Sequence, residues 1–461
     1  MTSFRIAFTG THSRSVTFAH IARRLADVGV EIFWIMPGAK HRIDHIVKQG
    51  FSPDRILDLA KIDKSYCPQS IERMEAHSRI TASQMIINDR LLSEADGEKA
   101  LGYLGGVFTS VSKFITDNRI DIVFSEATWA YEMSVCAACS ASGADFIVPH
   151  TVRIPSGRFG FFRGIFQNEL IRNASEGRVL PMPSRFQAET GYMPPPLISR
   201  RHFSGFFRHM DRFIRDSAKD ETEQTMFQLI GERLLRAFNG RMAGFDRMPA
   251  KPDGDYVLMP LHISPESSLD VLGGMWNNQL ELIRCIARSL PHGVKLAVRE
   301  HPAGIGRRDF RFFRQTASIY NVVNVSPYSD NAELIKKARA VISVSGSACY
   351  EAAFAGVGSV VFSDVFFGAL PTVFRCRSAE DIGSVLKEAM NAKADRHALA
   401  EFLADIADNS YEGCVESAEV APQAMTEENA RMVSQAFMDF LENYSASERP
   451  LYAASMSSRW I

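Results

Sequence analysis

No apolar run in this sequence approaches the roughly 20 residues that a membrane-spanning helix needs, so no such helix is expected. Met1-Thr2-Ser3-Phe4-Arg5 leads straight into a strand-like run without a long apolar core, the pattern expected where no secretory leader is present. Charge of one sign is also lacking. Lys and Arg number 52 against 53 Asp and Glu, a formal net charge of −1. No global field therefore draws the chain to nucleic acid. The seven cysteines are odd in number and scattered, which excludes a disulfide framework and fits reduced thiols in a cytoplasmic protein. Cys136 and Cys139 have CxxC spacing but no second pair. They read as core thiols in an Ala/Ser-rich helix rather than as metal or redox ligands. There is no short-period repeat, no low-complexity segment and no GxGxxG fingerprint, so dinucleotide binding lacks support.

What is present is a long α/β rhythm. With 461 residues, 46% hydrophobic and 23% charged, the chain exceeds what one core supports, and two domains are expected. Residues 4–9 and 30–36 read as strands flanking a helix, with Gly10-Thr11-His12-Ser13-Arg14-Ser15 as the first strand-to-helix turn. That is a βαβ opening and implies a parallel sheet. Residues 61–117 read as mostly helical, interrupted at Gly102 to Gly106. Asp121 to Ser125 reads as a strand that delivers Glu126 at its carboxyl end. After the strand at 145–148, the segment from Pro149 to Arg158 is polar, rich in Gly and Pro, and carries Arg153 and Arg158. It reads as a functional loop. Pro194-Pro195-Pro196 breaks the chain. Residues 199–216 then interleave five arginines with Phe203, Phe206, Phe207 and Phe213. Two readings of that stretch stand: a surface docked on a membrane, or an amphipathic helix with its Phe stripe turned inward.

Residues 250–255 form the best linker, after which strands and helices alternate again. The stretch from Leu296 to Ala352 is the centre of this second half. Val298-Arg299-Glu300-His301-Pro302 reads as a strand that ends on polar groups, with Pro302 stopping the ladder. Ser343-Val344-Ser345-Gly346-Ser347 reads as a strand end and turn opening a helix near Ala348. A helix start beyond a parallel strand presents free N–H groups and a positive dipole end, which attract phosphate. His301 would donate to a phosphate oxygen. Glu300, on the opposite strand face, reads as its orienting partner or as part of an ion pair. Ser345 and Ser347 would add hydroxyls, and Gly346 close approach. Glu351 would accept from ribose hydroxyls or serve as a helix-dipole partner. His262 and Glu266 would border the same site.

Taken in order, Pro260-Leu261-His262-Ile263-Ser264-Pro265-Glu266, Val298-Arg299-Glu300-His301-Pro302 and Ser345-Gly346-Ser347 with Glu351-Ala352 resemble the motifs of bacterial capsule and surface-polysaccharide biosynthesis proteins. The resemblance covers roughly residues 255–375, with Ser347 where Thr is usual. It implies the GT-B class: two Rossmann-like doubly wound α/β domains facing a cleft. It also implies a glycosyltransferase that moves a sugar from a nucleotide-activated donor onto a glycan or glycolipid. Some relatives use CMP-linked acidic sugars such as Kdo or sialic acid, and there a His-Pro histidine contacts the donor phosphate. Donor contacts then fall to His262, Glu266, Glu300, His301, Pro302, Ser345, Gly346, Ser347 and Glu351. No cofactor beyond the donor and no metal site is implied. The expected division is residues 1–250 for the acceptor, 251–425 for the donor, and 426–461 as a helix and tail packing back on the first domain. The expected location is cytoplasmic, at most peripheral to the inner face of a membrane.

Transfer with inversion needs a base for the acceptor hydroxyl. Glu126 is the first candidate, and His12 the rival. Arg153 and Arg158 would bind an anionic acceptor. A GT-B-shaped UDP-sugar 2-epimerase and a non-catalytic nucleotide-sugar-binding assembly protein remain as alternatives.

Overall fold

Runs such as Ile6-Ala7-Phe8 and Val341-Ile342 are apolar on both faces, and such runs are stable only as central strands covered on both sides. A computed structural model describes residues 4–10, 14–38, 40–172, 226–264, 266–417 and 421–444. His12, Pro265, the Pro194 to Pro196 break and the Arg/Phe stretch at 199–216 lie outside them. The chain forms two compact units: of the described residues, 4–172 and 406–444 belong to the first and 226–405 to the second.

The first unit is built on a sheet of eight strands: β1 Arg5–Thr9, β2 Glu31–Met36, β3 Ile56–Asp58, β4 Ile122–Phe124, β5 Asp145–Thr151, β6 Arg158–Arg163, β7 Glu169–Leu170 and β14 Tyr411–Glu412. Its order is β14-β6-β5-β4-β1-β2-β3, with β7 on β6. Strands β1 to β5 pair in parallel, while β6, β7 and β14 form an antiparallel edge that the sequence reading did not expect. Helix Glu427–Asn443 closes one face. Its Phe437 ring lies 4.8 Å from Phe124, and Phe440 stacks on Phe161 at 4.1 Å. Each such aromatic contact adds about 0.5–1.5 kcal/mol beyond the area it buries.

The second unit has six parallel strands in the order β10-β9-β8-β11-β12-β13. They are β8 Tyr256–Pro260, β9 Lys295–Arg299, β10 Val322–Val325, β11 Ala340–Ser343, β12 Ser359–Val361 and β13 Val373–Arg375. Both units are thus Rossmann-like and doubly wound, the α/β class expected.

Three local expectations change. The glycines at 102–106 do not interrupt a helix, because helix Gly97–Asn118 runs through them. They are small because the chain at 63–64 crosses there: a Cβ on Gly102 would fall 2.1 Å from the Lys64 carbonyl oxygen, and one on Gly106 2.3 Å from that of Asp63. The segment from Pro149 to Arg158 is mostly a hairpin rather than a loop, since β5 runs to Thr151 and β6 starts at Arg158. Residues 250–255 do not separate the units. Helix Met226–Met242, before them, is tied to the second unit by Arg236, whose Nε and Nη2 donate to the Ile305 and Ala303 carbonyls at 3.1 and 2.9 Å.

Candidate functional site

In an open parallel sheet, ligands gather outside the carboxyl ends of the strands, where the strand order reverses. In the second unit that point lies between β8 and β11: β9 and β10 are added on one side of β8, β11 to β13 on the other. Both sequence signatures end there. His262 follows β8, Glu300 and His301 follow β9, and the Ser345 turn follows β11.

Glu300 is 1% exposed, and burial pushes its carboxyl above the ordinary range, against the pull of Arg308 and the His301 N–H. Its Oε2 accepts from Arg308 Nε at 2.9 Å and its Oε1 from the His301 backbone N–H at 2.8 Å. Gly304 leaves room for this carboxylate, since a Cβ there would fall 2.7 Å from Oε1. Of the two roles expected of it, Glu300 shows the ion pair, with Arg308. Pro302 opens the 3-10 turn Pro302–Gly304, and His301 caps it: Nδ1 accepts the Ala303 backbone N–H at 3.1 Å. A backbone N–H can only donate, so Nδ1 is unprotonated and the neutral ring carries its proton on Nε2.

His262 is placed differently. Its Nε2 accepts the Ser345 backbone N–H at 3.2 Å and lies 2.9 Å from Ser343 Oγ. Its Nδ1 lies 3.2 Å from Ser268 Oγ, which donates to Glu266 Oε2 at 2.8 Å. Burial, with Arg308 and His301 nearby, pushes the ring down to about 3, so it is neutral. The Ser345 N–H fixes the tautomer with the proton on Nδ1. His262 thus posts the β11 turn in place, with Glu266 anchoring it through Ser268. Both are hydrogen-bonded within the unit.

Ser345 Oγ donates to the Ser268 carbonyl at 2.6 Å and so belongs to the same scaffold. Gly346 is the N-cap of helix Ser347–Ala355, which has no side-chain cap. A Cβ on Gly346 would fall 2.5 Å from Ser343 Oγ, so glycine keeps this turn tight. The Cys349 N–H donates to the Gly346 carbonyl at 3.0 Å, and no side chain caps the N–H groups before it. Glu351 Oε2 accepts from Asn331 Nδ2 at 3.1 Å.

The first unit has its own reversal, between β1 and β4. Thr9 Oγ1 and Ser125 Oγ, both fully buried, lie 2.7 Å apart and tie the two strand ends together. Beside them Arg14, 4% exposed, opens helix Arg14–Asp27. Its Nη1 lies 3.3 Å from Glu126 Oε1, and its Nη2 donates to Glu416 Oε2 at 3.0 Å. Glu126 thus reaches the carboxyl end of the sheet as expected, but as the partner of a buried guanidinium. His150, on β5, joins this group. Burial first, then Arg153 and Arg14, push its imidazole down to about 4 against the pull of Glu416. Arg153 is exposed and left-handed at φ 64°.

Arg158 does not join them. It is 6% exposed, with Nε donating to Ser410 Oγ at 2.9 Å and Nη2 to the Ala407 and Ser410 carbonyls. It holds the return of the chain onto β6 rather than a ligand. Arg158→Met is expected to cost about 1.5–3 kcal/mol, the loss of hydrogen bonds to a charged group. Urea unfolding measures this, and an unchanged midpoint would return Arg158 to the candidates for ligand binding.

Sequence reasoning missed Arg14, His150, Glu416, Ser268 and Arg308. Arg14 and His150 stood in segments already singled out. Glu416 had no signal, since it arrives from about 400 positions away. Among the described residues no group of three or more His, Cys, Asp or Glu is arranged to hold a metal, and no helix is long and apolar enough to cross a membrane.

No protein-family model matches the sequence, and no match was found among curated proteins. Solved structures give loose likenesses over nearly the whole chain. The Methanocaldococcus jannaschii UDP-GlcNAc 2-epimerase in complex with UDP-GlcNAc and UDP is 12% identical, with a TM-score of 0.30, over 94% of this chain and 99% of its own. The S. aureus MnaA–UDP structure is 11% identical, with a TM-score of 0.31, over 96% of each chain. CalG4, the calicheamicin glycosyltransferase, is 12% identical, with a TM-score of 0.27, over 96% of this chain and 99% of its own. At these scores no residue role is carried from those proteins to this one.

Proposed function

We propose that this chain transfers a sugar from a nucleotide-activated donor to a glycan or glycolipid acceptor in surface-polysaccharide assembly, and that the second unit holds the donor phosphate. The observation that carries this reading is the His301 ring. Its Nδ1 accepts the Ala303 N–H, so the ring carries its N–H donor on Nε2, at the carboxyl end of β9. The uncapped start of helix Ser347–Ala355 stands beyond the same edge of the sheet, two strands away. A phosphate held by such donors departs as a stabilised anion when the bond to the anomeric carbon breaks. The buried Glu300–Arg308 pair and the His262 post hold the two parts without contacting the ligand. The resemblance to capsule proteins supports a CMP-linked acidic sugar, such as Kdo or sialic acid, among the donors.

The test is to incubate the purified chain with CMP-, UDP- and GDP-sugars, with and without surface-glycan acceptors, and to follow donor and products. Acceptor-dependent transfer from one donor class is expected. Epimerisation of a UDP-sugar without acceptor, or binding without turnover, would overturn the proposal.

A further inference from the structure

Arg14 is an unusual group to find buried. Among the described residues its Nη1 has no hydrogen-bond partner, although Glu126 lies 3.3 Å away. It sits where the strand order of the first unit reverses, the place where an open α/β sheet takes a ligand. Three separate stretches of chain converge on it: Glu126 after β4, His150 on β5, and Glu416 after β14. None of the three is sealed in the core. Glu126 and Glu416 keep 27% and 28% of their side chains exposed, and His150 is half-buried.

The charge balance says what such a site can hold. Arg14 and Arg153 are its cations. Glu126 and Glu416 oppose them, and the field of the fully buried Glu132 also reaches Arg14. Two cations facing three carboxylates leave no positive surplus for an anion. An incoming carboxylate or phosphate would have to displace Glu126 or Glu416 from Arg14. Burial raises the cost of ionising Glu416, but Arg14, which is hydrogen-bonded to it, and Arg153 hold it below the ordinary carboxylate range. Both partly exposed carboxylates can accept hydroxyl hydrogens, the strong charge-assisted kind of hydrogen bond. The neutral His150 ring offers one donor and one acceptor, and Arg14 Nη1 a further donor. Donors and acceptors gathered at the carboxyl end of the sheet match the hydroxyls of a sugar ring.

We propose that this cluster in the first unit is a second ligand site, one that reads the neutral, hydroxyl-bearing face of a carbohydrate through Glu126, Glu416, His150 and Arg14 and disfavours an anionic group. It rests on the glycosyl-transfer reading only in naming that carbohydrate as the acceptor. The expectation from sequence, an anionic acceptor held by Arg153 and Arg158, is replaced: Arg158 is committed elsewhere and Arg153 is matched by Glu416.

The full chain is titrated with methyl glycosides of glucose, galactose, mannose and N-acetylglucosamine, and with the matching methyl uronates, using saturation-transfer NMR. Titrations are run with and without the nucleotide that raises the melting temperature. At least one neutral glycoside is expected to bind, and its uronate at least about tenfold more weakly. Glu126→Gln and His150→Gln are each expected to weaken the neutral ligand by about tenfold or more, with the nucleotide-induced rise in melting temperature unchanged. Glu416→Gln is expected to do the same, and the other two variants decide the matter if it does not fold. The proposal is overturned if no neutral glycoside binds, if a uronate binds as well, or if the variants bind like the parent. Because the nucleotide response is read in the same samples, loss of glycoside binding with that response intact counts against this site alone. Loss of the nucleotide response with glycoside binding intact counts against the donor reading alone.

Discussion

Asn in place of His301 is expected to leave the second unit folded and to cut sugar transfer by roughly 10²–10³-fold, the usual loss when one donor to a developing anion is removed. The choice of Asn matters. His301 makes two separable contributions: Nδ1 caps the 3-10 turn through the Ala303 N–H, and Nε2 carries the ring's N–H donor. Asn is among the best N-cap residues and can accept the same N–H, so the cap, worth about 1 kcal/mol, survives. The ring N–H does not. His301→Ala removes both, and its lower activity would be mixed with a looser turn. The measurement is kcat with the best donor beside the melting temperature of each variant. If His301→Asn kept full activity, the imidazole would be a turn cap and nothing more. If it lost several degrees of stability along with activity, the two contributions would not be separable as drawn.

Arg308→Leu carries the largest expected loss of stability, about 3–5 kcal/mol, because it strands a buried carboxylate. Glu300 is 1% exposed, and Arg308 supplies its only ion pair among the described residues. Arg308 also donates to the His262 carbonyl and lies over the Phe312 ring at 5.1 Å, so it ties the ends of β8 and β9 together. The pH dependence gives a second readout. The Glu300 carboxyl titrates above its ordinary value because it is buried. A group raised in the folded state adds stability below its unfolded pKa, about 4.3, and loses that contribution as pH rises through the folded value. Removing Arg308 takes away an attraction that holds this pKa down, so the folded value rises further. The deficit of the variant is then largest near neutral pH and shrinks as pH falls toward the unfolded value. Thermal unfolding from pH 4 to pH 8 measures it. A deficit that does not depend on pH would mean that lost packing, rather than the stranded charge, destabilises the variant.

The second unit was largely legible in sequence because its strands are short apolar runs that end abruptly on polar residues. The β9 and β11 ends, the Pro302 stop and the helix start after Gly346 all stand where the pattern put them. What sequence could not show was which way each polar group spends its hydrogen bonds. His262 and His301 look alike in the motifs, yet one ring bonds to Ser345, Ser343 and Ser268 and posts the β11 turn while the other caps the turn after β9. The first unit was harder. Its antiparallel edge is completed by β14, whose partner β6 lies about 250 positions earlier, and local periodicity holds no record of such a pairing. The same distance hid Glu416, and with it the reason Arg14 can be buried. Arg158 was misplaced because a Gly/Pro-rich segment was read as a loop when it is the tip and shoulder of a hairpin.

The central claim, that the β8/β11 reversal binds the phosphate of an activated donor through His301 and the helix start, is tested most directly by calorimetric titration of the full chain. The ligands are CMP, UDP, GDP and their nucleosides, against the parent protein and His301→Asn. One nucleotide is expected to bind, its nucleoside at least about tenfold more weakly, with most of that difference lost in His301→Asn. A nucleoside that binds as tightly as its nucleotide, or a His301→Asn protein that keeps the full preference for phosphate, would contradict the claim.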